Sequence, residues 1–395
     1  MFSRRSIKLI PTLLLIFLFG CSSTTAPSVS PSETSVITET TVTTETTVET
    51  TVTETTLPTE TTETTEPEIV ITDEDIYSLF VVTPEQLIGD DKLDYVTEVT
   101  PELQTALDSK PVTGVVIFSG NIEDPDQIKA LNSEFNSHGM LVCIDEEGGD
   151  IVRIAADEDF DVPLFSNAAE EIDPYTRYTE IASYLQEYGF NTDFAPVADI
   201  AFDETSVIGD RAFGNDADHV SVQVMSSCKA FNDAGMIYSL KHFPGHGGTT
   251  SDSHFDTAVL YRTRAELDTE FEPFVAGISC GAPMIMIGHI DVPEITGDLP
   301  SSLSSEMIMI LRYDLGYEGV IITDSFWMEA ITERYGSGES AVMALKAGAD
   351  IVLMPDDLDE AFTAVRDAID SGELSKEEVV AKLERIKALK ESHNI

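Results

Sequence analysis

The segment KHFPGHGGTTSDSHFD, residues 241–256, gathers three histidines, three glycines and two aspartates directly after the apolar run MIYSL. His242, His246 and His254 are nitrogen donors of the kind zinc takes, but the segment offers no helical His-x-x-x-His pattern and no cysteine pair. A phosphate cradle would need a glycine-rich turn of the type GxxxxGK[ST], which is absent. Proton transfer suits the residues better. Asp252 and His254, two apart on an extended segment, point the same way, so the carboxylate can hold one ring nitrogen and leave the other for a substrate. Such a partner raises the proton affinity of the imidazole and orients it. Glycines beside the pair let the loop swing as a closing loop must. The bland alternative is a glycine-rich surface loop with incidental histidines.

Positioning such a loop is the task of the elements around it. Candidate strands are GVVIF (114–118), LVCI (141–144), TDFAPV (192–197), IYSL (237–240), MIMIG (284–288), GVIIT (319–323) and DIVLM (350–354). Amphipathic stretches such as DPDQIKALNSEFN and YTRYTEIASYLQEYG lie between them, which predicts a parallel sheet buried on both faces. Polar residues follow the strand ends regularly: Asp145, Lys241 and His242, His289, Asp324. Side chains from many strands converging on one mouth fit a (β/α)8 TIM-type barrel better than an open sheet, whose chemistry concentrates at one switch point. KEEVVAKLERIKALKESHNI reads as the closing helix, and residues 68–395 as one catalytic barrel.

KHFPGHGGTTSDSH, with IDEEGG, FAPVADI, GDRAFG and GVIITDSFWMEAI, resembles the single-barrel β-N-acetylglucosaminidases of glycoside hydrolase family 3. The similarity runs in order through nearly all of residues 73–390. It implies that Asp324 is the nucleophile of a retaining mechanism with a glycosyl-enzyme intermediate. It also implies that His254, supported by Asp252, replaces the usual second carboxylate as acid/base. Sugar-binding positions carry over to Asp145, Arg153, Arg211, Lys241 and His242. Simpler roles for some of these are an ion pair between Asp145 and Lys241 across the barrel mouth, and a helix cap for Arg153. His246 and His289 are expected to support loops, and Trp327 and Met328 to border the leaving-group side or pack in the core.

The chain departs from that family in two places. Asp150 stands where a basic residue usually follows EGG, and no additional carboxyl-terminal domain is expected. In the β-glucosidase branch such a domain supplies a glutamate as acid/base, so its absence together with the Asp-Ser-His motif favours the N-acetylglucosaminidase branch. The expected activity is removal of terminal β-linked N-acetylglucosamine from cell-wall or chitin-derived oligosaccharides or muropeptides, without cofactor or metal. Alternatives are a phosphorylase, since a histidine repels incoming phosphate less than a carboxylate would, a β-glucosidase, and a silent carbohydrate-binding lipoprotein.

The amino-terminal part is different in kind. Arg4, Arg5 and Lys8 precede an apolar stretch to Phe19, the layout of an export signal over residues 1–20. That stretch has about half of the roughly 20 apolar residues a spanning helix needs. LFGC resembles a lipobox, so Cys21 is the expected lipid anchor and the only expected membrane contact, at the extracellular face, with plain secretion as the alternative. Residues 21–67, nearly all Thr, Ser, Glu, Val and Pro, cannot bury enough apolar surface to order themselves and predict a disordered stalk reaching up to ~100 Å. A formal net charge of −50 argues against nucleic acid or anionic lipid as a partner. Cys143, Cys228 and Cys280 lack regular spacing and read as buried free thiols of an exported, monomeric protein.

Overall fold

The computed structural model describes residues 69–89, 95–202, 205–249 and 258–395. The expected signal peptide, the stalk with Cys21, and the Asp252–His254 pair lie outside the described residues. The strands are β1 (Phe80–Val82), β2 (Gly114–Val116), β3 (Leu141–Ile144), β4 (Thr192–Asp193), β5 (Ile237–Phe243), β6 (Ala258–Val259), β7 (Met284–Ile287), β8 (Ile290–Asp291), β9 (Val320–Ser325) and β10 (Ile351–Leu353). All but β6 and β8 pair in parallel in the closed order β1-β10-β9-β7-β5-β4-β3-β2, which is the expected barrel. β6 and β8 form a small separate sheet.

Seven of the eight barrel strands coincide with apolar runs read from the sequence. The eighth, β1, is only three residues long and sits between two helices, Asp73–Tyr77 and Pro84–Ile88, each opened by a threonine capping box. A run that short carries no period. The TDFAPV segment contributes Thr192–Asp193 as a strand and then an isolated parallel bridge from Val197 to Lys241, with the Pro196 carbonyl accepting the Lys241 N–H. β5 and β9 run further than expected, so Lys241, His242 and Asp324 lie within the last residues of strands that end at Phe243 and Ser325 rather than at the start of loops.

Helices pack outside the strands with ends set by local chemistry. Asp124, Asp216 and Thr263 cap the helices Pro125–Ser137, Ala217–Ala234 and Arg264–Ser279 through their side-chain oxygens, and Gly235 in the left-handed region stops the second of these. The final helix, Lys376–Ser392, closes the amino-terminal end of the barrel. Its Lys382 Nζ donates to the Ala349 carbonyl at 2.8 Å and its Arg385 to Asp350 at 2.9 Å. Buried Asp350 also receives the Ile321 N–H and the Arg312 guanidinium, so the charge at this end is satisfied structurally. Cys143 and Cys228 are fully buried free thiols and Cys280 is partly buried. Burial pushes the Cys228 thiol up to about 12, which removes its reactivity at neutral pH.

Candidate active site

A cavity of about 390 Å3 opens at the carboxyl ends of the strands, and Asp145, Arg153, Arg211, Lys241, His242 and Asp324 all line it. Six positions spread over 180 residues of sequence thus meet in one space. Trp327 and Met328 line it too, Trp327 at 38% exposure and Met328 buried.

Ionic contacts decide how the wall opposite Asp324 is arranged. Lys241, buried at the end of β5, reaches Asp145 and Glu147 at 2.7 Å each. Arg211 grips Glu147 with two bonds, 2.9 Å from Nε and 2.7 Å from a terminal nitrogen. Arg153 lies 3.7 Å from Asp145. The Asp145–Lys241 ion pair therefore exists, and both of its members face the cavity. Arg153 caps no helix; it sits on the loop after β3.

Burial alone would raise the Glu147 carboxyl, but Lys241 and Arg211 outweigh it and hold Glu147 well below the usual carboxylate range. Burial likewise works against the Lys241 ammonium, and Asp145 and Glu147 reverse it, holding Lys241 above its ordinary value. Glu147 and Lys241 therefore stay charged at neutral pH. Charged donors and acceptors locked by one another orient a small polyhydroxylated ring without rearranging.

Two buried carboxylates behind this wall position it. Glu146 accepts the backbone N–H groups of Arg153, Ile154 and Ala155 at 2.5, 3.0 and 2.9 Å and the Tyr184 hydroxyl at 3.0 Å, which folds the turn that carries Arg153. Asp199 accepts the His246 backbone N–H at 2.6 Å and faces His242 Nδ1 at 2.7 Å. Burial raises the Asp199 carboxyl, but His242 and His246 bring it below its ordinary value. An ionised Asp199 means that His242 Nδ1 carries the proton, leaving Nε2 as the nitrogen available to the cavity. Glu146, Glu147 and Asp199 stand inside the motifs IDEEGG and FAPVADI, and their roles were hidden because each depends on a partner far along the chain.

Asp324, near the end of β9, accepts the Ser325 N–H at 2.8 Å. Buried His289 reinforces this corner. Its Nε2 meets the Ser325 carbonyl at 2.9 Å and must donate, so in the neutral ring Nδ1 accepts from the Ser302 hydroxyl at 2.7 Å. His289 is thus a support, as expected. So is His246, whose Nδ1 contacts Thr249 Oγ1 at 2.6 Å and whose imidazole is held below its ordinary proton affinity by burial and by neighbouring His242. The backbone leading toward Asp252 needs its glycines. Gly245 has φ of 129°, and a Cβ at Gly247 would collide with the Ile200 carbonyl.

Beneath this segment lies a residue the motifs did not signal. Glu270, in the helix Arg264–Ser279, is buried against Gly245 and Gly248, and neither carboxyl oxygen has a hydrogen-bond partner. Burial, reinforced by nearby Asp199, pushes its carboxyl up to about 8 despite Arg262 at 3.7 Å. Between its ordinary pKa and about 8 the folded chain keeps a proton that the unfolded chain has lost, so folding stability falls as pH rises through that window. Glu270→Gln, neutral at every pH, is expected to be more stable than the parent by on the order of 3 kcal/mol at neutral pH, with little difference near pH 4.5. Urea unfolding at several pH values measures this. Parallel stability curves for the two proteins would mean that Glu270 does not titrate in this way.

A closed parallel barrel, with a carboxylate at one strand end facing interlocked charged side chains across a sugar-sized cavity, defines a barrel enzyme acting on small polar rings. Residues 71–389 match the glycosyl hydrolase family 3 N terminal domain, and the chain belongs to that family and is a glycoside hydrolase. A protein named β-hexosaminidase from Stenotrophomonas maltophilia K279a is 33% identical over 286 residues, covering 68% of this chain and 84% of that protein. Among solved structures, a glycoside hydrolase family 3 β-N-acetylglucosaminidase from Paenibacillus sp. FPU-7 has a TM-score of 0.75 at 30% identity. That likeness covers 82% of this chain and 63% of the Paenibacillus chain, so this protein spans less than two thirds of that relative. A family 3 glycosyl hydrolase from Mycobacterium smegmatis gives a TM-score of 0.69 at 27% identity, over 81% of this chain and 97% of that one.

Proposed function

We propose that the protein is a retaining exo-β-N-acetylglucosaminidase acting on oligosaccharides. The observation that carries this is the placement of Asp324 across one cavity from the Lys241, Asp145, Glu147 and Arg211 network. A terminal sugar whose hydroxyls are held by that network presents its anomeric carbon to Asp324. Attack by the carboxylate forms a glycosyl-enzyme ester and releases the aglycone, which takes a proton from His254 as its bond breaks. His254, oriented by Asp252, then removes a proton from water as the water displaces Asp324 from the same face. The names of the relatives support N-acetylhexosamine as the sugar.

Proton NMR of the first turnovers tests the stereochemistry. Retention requires that β-N-acetylglucosamine appears first and then mutarotates; the α-anomer as first product would rule out a covalent intermediate on Asp324. The same spectra taken in phosphate buffer separate hydrolysis from phosphorolysis, because transfer to phosphate would yield the sugar 1-phosphate.

A further inference from the structure

Resting on the glycosidase assignment above, we propose that the mouth of this site is a charge filter, selecting aglycones that are neutral or cationic and disfavouring those that carry a carboxylate. The cavity itself is electrically balanced. Arg211 and Lys241 are hydrogen-bonded to Glu147 and Asp145, and Arg153 lies 3.7 Å from Asp145. The surroundings are not balanced. Asp150, Asp210, Glu329 and Asp356 are exposed, and each stands one or two residues from a cavity-lining residue: Ile151, Arg211, Met328 and Met354.

These four carboxylates come from the connections after β3, β4, β9 and β10, Asp210 in the short turn Gly209–Arg211 and Glu329 at the start of the short helix Glu329–Thr332. Among the described residues, no Lys or Arg other than the three paired cations lies within two positions of any lining residue. Asp150 is also held in place, exchanging hydrogen bonds with Asn167 at 2.9 and 3.2 Å.

Where the aglycone passes is marked by Trp327. It is three residues beyond Asp324 and, among the described residues, the only large apolar side chain of the cavity that is also exposed. A sugar ring leaving toward solvent can stack there, with Glu329 two residues further on. A carboxylate on that ring enters a field of several like charges, and every Lys and Arg among the described residues lining the cavity already stands beside a carboxylate. An acetamido group feels nothing comparable, and an ammonium is attracted. The substrate class that fits is therefore a chitin-type or partly deacetylated glucosamine oligomer rather than a glycan bearing a lactyl carboxylate.

The test uses the full-length protein and four disaccharides in which β-N-acetylglucosamine is 1,4-linked to N-acetylglucosamine, to glucosamine, to N-acetylmuramic acid, or to the methyl ester of the last. Acid and ester share their shape, so their kcat/KM ratio isolates charge. Taking about 10 Å as the separation of the rim carboxylates from the aglycone, a Coulomb estimate with salt screening gives a preference for the ester of about five- to tenfold near 0.01 M ionic strength and about twofold at 0.15 M. Near 1 M salt the ratio should approach one. Neutralising the rim with Asp150→Asn, Asp210→Asn, Glu329→Gln and Asp356→Asn together should flatten the ratio at low salt. An acid cleaved as fast as its ester at low salt, or a ratio indifferent to salt and to the four substitutions, overturns the filter. Failure to cleave any of the four, or an aryl N-acetylglucosaminide, would instead overturn the glycosidase assignment on which it stands.

Discussion

Asp324→Asn is expected to lower turnover of an aryl β-N-acetylglucosaminide by about 10⁴-fold or more, because an amide oxygen is too weak a nucleophile to form the glycosyl-enzyme bond. The substitution is almost isosteric. An asparagine Oδ1 can still accept the Ser325 N–H that now goes to the carboxylate at 2.8 Å, and His289 still holds the Ser325 carbonyl. Thermal unfolding should therefore stay close to that of the parent while kcat collapses, and a competitive sugar inhibitor should still bind. Asp324→Ala adds a sharper readout. It leaves room for a small anion, so azide should restore partial turnover with an activated substrate and yield the α-glycosyl azide, the product of one displacement instead of two. Turnover within tenfold of the parent in Asp324→Asn would exclude this carboxylate as the nucleophile.

His254→Ala should divide substrates by how much help their leaving group needs. Expelling a sugar alkoxide without a proton is slow, so the loss on a disaccharide should reach about 10²–10⁴-fold. An activated aryl leaving group departs unaided, which confines the damage to the water step; azide, which needs no base, should relieve that too. The pH profile of kcat/KM on the disaccharide should also lose its alkaline limb, the one on which the imidazole must be protonated. Buried His246, held below its ordinary proton affinity, is a poor substitute acid. Equal losses on both substrates, unrelieved by azide, would assign the proton transfer elsewhere.

Legibility in the sequence followed the range of the interactions. Strands such as Met284–Ile287 and Val320–Ser325 are buried on both faces and announce themselves as unbroken apolar runs. Phe80–Val82 is buried as deeply but is three residues long, and only barrel closure, which pairs it with both β2 and β10, makes it a strand. TDFAPV breaks after Asp193 and rejoins β5 only through the bridge from Val197 to Lys241, and the extension of β5 through Lys241 and His242 depended on the neighbouring strand β7, which pairs with it as far as Phe243. Glu147 was in plain view within IDEEGG. Its importance lay in partners 64 and 94 residues away.

What the sequence determined by itself is the architecture and the identity of the chemical groups: alternating buried runs and amphipathic stretches permit few arrangements other than a barrel, and the reactive side chains follow its strand ends. What only the tertiary structure decided is which charges meet. Lys241 is shared between Asp145 and Glu147, Asp199 holds His242 and His246 together, and Glu270 lies without a hydrogen bond beneath Gly245 and Gly248. The physical reason is that burial and distance set the strength of an ionic or hydrogen-bonding contact, and both come into being only when the strands close on one another.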